Sequence, residues 1–294
     1  MLKRIGLFLL TNILVIATIS IFINLLGVRP YLTESGIDYE ALMIFCLIWG
    51  FTGAFISLAM SRFMAKMLLG VKVIKPGSNH PYSWAYDMVA HISKTAGLPA
   101  VPEVGVYDSQ EVNAFATGPT KSRALVAFSS GLLDSMSRSE VEGVAGHEIA
   151  HIKNGDMVTM TLLQGVINAF VMFIARAVSF AASQAVKEEQ RYLVRIVVTI
   201  VLDIVLSILG SLVVMWFSRK REFSADAGAA KFVGRDKMIS ALERLAAYRE
   251  VAQVGEKHAS LATMKISSGG SGFLGLFASH PPLEDRIRRL KSGV

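Results

Sequence analysis

The sequence predicts a mainly α-helical integral membrane protein with four transmembrane helices and a small β-sheet. Three observations lead there. The 294 residues are 52% hydrophobic and only 18% charged, whereas soluble domains carry roughly a quarter charged residues. Apolar runs long enough to cross a bilayer recur along the chain. The basic excess, a formal net charge of +7, lies beside those runs, as topology determinants do.

A helix needs about 20 apolar residues to cross the hydrocarbon. Ile5 to Leu26 and Ala41 to Met60 meet that requirement, as do about Met157 to Ala182 and about Leu193 to Phe217. The last two carry charges, Arg176 in one and Arg195 and Asp203 in the other. If they only dip into the membrane, two spans remain and the polar regions keep their side. The first run has a basic start but is too long for a signal-peptide core, and no small-residue cleavage site follows, so it reads as an uncleaved anchor. Arg176 and Asp203 either pair across their hairpin or snorkel into a wet groove.

Orientation follows from the Lys and Arg bias. Lys3 and Arg4 precede the first run. Arg62, Lys66, Lys72 and Lys75 follow the second, and Arg219, Lys220 and Arg221 follow the fourth. The loop between the first two holds Glu34, Asp38 and Glu40. Both termini and both large polar regions therefore face the cytoplasm. The chain divides into a hairpin (1–61), a polar region (62–156), a second hairpin (157–218) and a second polar region (219–294). The single cysteine, Cys46, excludes an internal disulfide and a cysteine-based zinc cluster. No basic patch interleaved with aromatics is present, which speaks against nucleic-acid binding.

In the first polar region, Trp84 to Ala96 reads as an amphipathic helix ended by Gly97 and Pro99. Val101 to Tyr107, Ala114 to Thr117 and Ala124 to Phe128 read as strands, punctuated by Gly118-Pro119 and Gly131. Ser139 with Glu142 offers a capping box for a helix through His151, broken by Asn154-Gly155-Asp156. In the second region, Arg219 to Phe232 continues the fourth span as a helix. Lys237 to Ala252 and Pro281 to Leu290 are further helices. Ser267 to Gly275 reads as a flexible linker or lid.

The strongest chemical signal is His147-Glu148-Ile149-Ala150-His151. Helical residues four apart share a face, so both imidazoles can meet one Zn²⁺. Glu148, between them, is placed to act as general base toward a metal-activated water. A hydrolytic zinc site needs a third protein ligand. His80, His91, His258, His280 and Glu222 are the candidates. Glu222, with Asp226 one turn later, fits a ligand followed by a carboxylate that orients an imidazole. Spacing alone fits equally a Glu222 paired with Arg219 or Lys220 on a solvated helix.

The chain resembles the HtpX-type membrane zinc metallopeptidases, of the gluzincin group that includes the CAAX prenyl endopeptidases, over essentially its whole length. Four features carry the resemblance. They are the amino-terminal hairpin, the stretch from Asn113 to Gly118, the His147 motif followed by Glu222-Phe223-Ser224-Ala225-Asp226, and Ser279-His280-Pro281-Pro282 with Arg286-Ile287. The resemblance implies a zincin-like cytoplasmic catalytic domain split by the second hairpin, with one Zn²⁺ per chain. It implies Glu222 as third ligand and Asp226 as its supporting carboxylate. His280 would stabilise the oxyanion, and Arg286 would tie its helix to nearby acids. Asn113, with Ala114 and Phe115, would sit on an edge strand that pairs with extended substrate. It further implies a multi-pass bacterial inner-membrane endopeptidase that cleaves misfolded or damaged membrane proteins on the cytoplasmic side, alongside partner proteases of quality control and in stress response.

Other readings are a prenyl-peptide processing protease, a membrane scaffold with a structural zinc site, and a transporter built on Arg176 and Asp203. The few spans disfavour the first. Intact Glu148 disfavours the second, because a structural site needs no base. The lack of an internal repeat disfavours the third.

Overall fold

The computed structural model describes Ile21 and residues 32–33, 36–259 and 280–292. The first apolar run (Ile21 apart) and the Ser267 to Gly275 segment lie outside these. The described chain is mainly helical with a small mixed sheet. It forms two compact units, one of residues 1–58 and 159–214, the other of 59–158 and 215–294.

The first unit holds a short antiparallel hairpin, β1 (Leu32–Thr33) with β2 (Gly36–Ile37), and parts of three long helices. These are α1 (Tyr39–Leu68), α5 (Asp156–Gln184) and α6 (Glu188–Val233). Each is long and apolar enough to cross a membrane, three such helices among the described residues. Many of their exposed residues are apolar, among them Ile200, Ile204 and Ile208 on α6, the surface that hydrocarbon requires. Small residues let α1 and α5 approach closely. A Cβ added at Gly50 would lie 2.7 Å from both the Gly165 carbonyl oxygen and the Ala169 nitrogen. Arg176 and Asp203 do pair across the hairpin, 3.9 Å apart.

The second unit is built on a four-stranded sheet of order β3-β4-β6-β5. The strands are β3 (Lys72–Val73), β4 (Glu103–Tyr107), β5 (Ala114–Thr120) and β6 (Arg123–Ser129). Only the β4–β6 pairing is parallel. Ala124 to Ser129 of β6 are all buried, because the strand is covered on both faces. Alternation sorts its side chains: Ala124, Val126 and Phe128 join the main helical core, while Leu125 and Ala127 pack with Ala65 and Val71. The strand expected to stop at Thr117 continues through Gly118-Pro119 with a register shift. Its place at the sheet edge tolerates the proline. Gly131 lies not in a turn but in α3 (Ser130–Ser135), where a Cβ would meet the Gln110 carbonyl oxygen at 2.5 Å.

Helices α2 (Ser83–Thr95), α4 (Arg138–Asn154), α7 (Arg235–Ala259) and α8 (Leu283–Ser292) complete this unit, with the end of α6. Residues 143–152 of α4 are all buried, so its hydrophobic pattern goes all round rather than forming a stripe. Its capping box is Ser137 with Glu140, not Ser139 with Glu142. The same spacing occurs twice, and the earlier serine has the extended backbone a cap needs. Glu142 instead pairs with Lys237 at 2.7 Å. Gly155, at φ 75°, closes the helix in the left-handed conformation.

Glycines set how closely α4 packs. A Cβ at Gly143 would lie 2.5 Å from the Lys237 carbonyl oxygen of α7, whereas one at Gly53 on α1 meets nothing within 4 Å. Gly143→Ala should therefore cost about 1–3 kcal/mol by overpacking, and Gly53→Ala should be neutral or slightly stabilising. Thermal unfolding of the two variants in detergent checks the contrast.

Candidate metal centre

The end of α4 and the polar end of α6 bring together His147, His151 and Glu222, whose donor atoms lie within 4.8 Å of one another. The helical spacing of four puts both rings on one face. Their Nε2 atoms are 3.0 Å apart. His147 Nε2 lies 3.3 Å from Glu222 Oε2, and His151 Nε2 lies 3.3 Å from Glu222 Oε1. Glu222 is fully buried, five residues after Phe217, where the apolar part of α6 gives way to Arg219 to Arg221.

Each ring is held from behind. Asp226 Oδ1 lies 2.9 Å from His147 Nδ1, and Asp156 Oδ2 lies 2.5 Å from His151 Nδ1. Arg286, buried on α8, donates to both oxygens of Asp226 at 2.8 and 2.6 Å. The largely exposed His280 reaches Glu222 Oε2 through Nδ1 at 2.7 Å.

The donors fit a divalent metal. A tetrahedral ion with bonds of about 2.0–2.1 Å separates its ligand atoms by about 3.3–3.4 Å, close to the spacings found. Glu222 Oε1 is buried with only the His151 Nε2 contact at 3.3 Å, a weakly satisfied arrangement that a coordinated cation would complete. Glu148, Asp156, Glu222 and Asp226 are all buried, with Arg286 the buried cation beside them. With neutral imidazoles the cluster has a formal excess of three negative charges, of which a divalent cation offsets two.

Charge balance shifts the protonation of the metal-free site. Burial disfavours charge on His151, but hydrogen bonds to Asp156 and Glu222 and the nearby Glu148 charge outweigh it, pushing its pKa up to about 9. Burial likewise opposes charge on Glu222, yet its bonds to His147, His151 and His280 hold the carboxyl well below the usual range. Asp226 is lowered too, with burial overcome by Arg286 and His147.

The other sequence candidates sit elsewhere. His80 accepts a hydrogen bond from the Tyr82 backbone. His91 is exposed on α2. At His258 only helical backbone is described. Asn113 precedes edge strand β5 and is bonded to Ser129 through its backbone nitrogen and carbonyl. Ala114 and Phe115 pair with Phe128 and Ala127 of β6, and Phe115 packs its ring on Tyr107. Glu148 is buried, and its charge acts on the His151 ring. Asp156 was legible only as a helix breaker. Its distance in sequence from His151, five residues rather than three or four, gave no helical-face signal.

Residues 80–294 match the profile of Peptidase family M48. The chain belongs to this family. It is 52% identical to the "Protease HtpX homolog" of Bacillus licheniformis, over 99% of both chains. It is 50% identical to that of Bacillus subtilis, over 99% of this chain and 100% of the other. The "Protease HtpX" of Thioalkalivibrio sulfidiphilus is 49% identical over 99% of each. Among solved structures, Ste24p of S. mikatae superposes with a TM-score of 0.60 at 16% identity, covering 99% of this chain and 67% of that one, so the fold is shared. This M48 chain is thus a metalloendopeptidase with apolar membrane helices and a His-His-Glu cluster suited to a metal.

Two outcomes are expected. Glu222→Ala should lose stoichiometric metal, measured by elemental analysis of the purified chain. The second concerns pH. A folded pKa near 9 for His151, against about 6.5 unfolded, means its charge stabilises the metal-free fold fully below pH 6.5. That contribution is lost as pH rises through about 9. Metal needs the neutral ring, so affinity should rise about tenfold per pH unit per displaced proton below about pH 9. Chelator competition from pH 6.5 to 9 reads the slope, and a flat profile contradicts the assignment.

Proposed function

We propose that this protein is a zinc-dependent endopeptidase of the bacterial inner membrane that cleaves misfolded or damaged membrane proteins on the cytoplasmic side. The observation that carries the reading is the convergence of buried His147, His151 and Glu222, whose donor atoms all lie within 4.8 Å of one another. In this reading His147, His151 and Glu222 hold the zinc, favoured by the His/His/Glu donor set. Regions 62–156 and 219–294 form the catalytic domain, which hairpin 157–218 splits and hairpin 1–61 precedes. The names of its HtpX relatives and the Lys/Arg bias support this, and the bias favours cytoplasmic termini and site. Partner proteases of the quality-control system and a stress role belong to the same proposal.

When bound, zinc supplies Lewis acidity that polarises the scissile carbonyl and makes water a usable acid near neutral pH. Glu148 takes the proton from the attacking water and delivers it to the leaving amine. His280, exposed at the rim of the cluster, donates to the developing oxyanion. Asp226, locked by Arg286, keeps the His147 ring in one tautomer with Nε2 toward Glu222, free to hold a metal if one binds. The substrate lies extended along β5, with Asn113, Ala114 and Phe115 at its start. A sheet edge recognises backbone rather than sequence, which suits an enzyme acting on many unfolded segments.

The test pairs the wild type with Glu148→Ala, both in detergent with full metal content. The variant should keep its zinc and lose about 10²–10⁴-fold in hydrolysis of an unfolded model protein. Near-wild-type cleavage would remove Glu148 as the base.

A further inference from the structure

We infer that Asp156 is the positioning residue for His151 and ties the metal centre to the first turn of helix α5. The inference rests on the metallopeptidase reading and extends it to how the second histidine is aimed. Asp156 Oδ2 sits 2.5 Å from His151 Nδ1, and both side chains are buried. The other ring nitrogen points at His147 Nε2 and Glu222 Oε1, 3.0 and 3.3 Å away. A carboxylate on Nδ1 fixes the tautomer with its proton there and leaves the Nε2 lone pair for a metal.

The contact depends on a break in the helix. In an uninterrupted α-helix, residues five apart point about 140° away from each other, so Asp156 would face away from His151. Gly155 prevents that. At φ 75° it ends α4 in the left-handed conformation, with its N–H on the His151 and Ile152 carbonyls. The next residue, Asp156, opens α5. The turn folds its carboxylate back onto the ring. A β-carbon at position 155 would carry the strain of that backbone conformation.

The two histidines are therefore aimed by different parts of the chain. His147 is aimed by Asp226, one turn past Glu222 on α6 and fastened by Arg286 of α8. His151 is aimed by the first residue of α5, the helix whose next residues form the apolar segment 157–182. The ring and the opening turn of α5 are one hydrogen-bonded unit, so an alteration of that turn reaches the metal through a single contact.

The experiment uses full-length protein in detergent, stripped of metal and loaded with Co²⁺. Wild type, Asp156→Ala and Asp156→Asn are compared by chelator competition and by the visible absorption of the bound cobalt. Asp156→Ala should bind about 10–100-fold more weakly, with shifted cobalt bands reporting a re-aimed ligand. Asp156→Asn, whose amide oxygen still accepts from Nδ1–H, should lose only several-fold and keep bands nearer the wild type. Unchanged affinity and bands in Asp156→Ala overturn the inference. If the alanine variant does not fold, the asparagine variant decides, and wild-type affinity with wild-type bands overturns it. A wild type that takes up no cobalt overturns the inference together with the reading beneath it.

Discussion

The structure depends on a buried excess of negative charge. Glu222 has no exposed surface, and Asp226, Asp156 and Glu148 are nearly as buried. Carboxylates withdrawn from water persist only when paired or coordinated. Arg286 answers Asp226, and the histidines answer Asp156 and Asp226 from one side while turning their other nitrogens to Glu222. The remaining imbalance is concentrated at one point between three donor atoms. The arrangement becomes economical once a divalent cation stands there, and the metal chemistry follows from the electrostatics of the core.

The surrounding scaffold serves that point. Helix α4 is buried all round because the sheet, α2, α6 and α7 cover it. Its unbroken buried stretch, 143–152, contains His147, Glu148 and His151. Gly143, Gly146 and Gly228 allow backbones to approach to distances that a Cβ would forbid or strain. A central helix of this kind is rigid, and rigid elements hold ligands more accurately than loops. The long α6 is largely apolar from about Leu193 to Phe217 and polar around Glu222, so the same helix runs from the membrane composition to the His-His-Glu cluster.

Much of this was legible in the sequence. The pair His147 and His151 announces itself by a spacing that only a helix makes meaningful, and Glu148 by lying between them. Most strands and helices of the second unit were placed by hydrophobic periodicity and by Gly and Pro, but the two-residue β3 and the six-residue α3 are too short to show a period, and α7 runs on past Ala252 to Ala259. Glu222 was not separable by spacing from a surface carboxylate near Arg219. What distinguishes it is complete burial, a property of the assembled helices. Asp156 was hidden because its contact with His151 requires a left-handed glycine between them. The capping box slid by two residues because the signature Ser-x-x-Glu occurs twice in succession, and only backbone conformation chooses between the copies.

We propose that His147, His151 and Glu222 bind one catalytic zinc. X-ray absorption at the zinc edge of the purified full-length protein tests it most directly. The expected spectrum is that of one zinc per chain with two imidazole nitrogens at about 2.0–2.1 Å, the remainder light oxygen ligands, and no sulfur. Absence of stoichiometric zinc, or a zinc bound by sulfur or by a single imidazole, would contradict it.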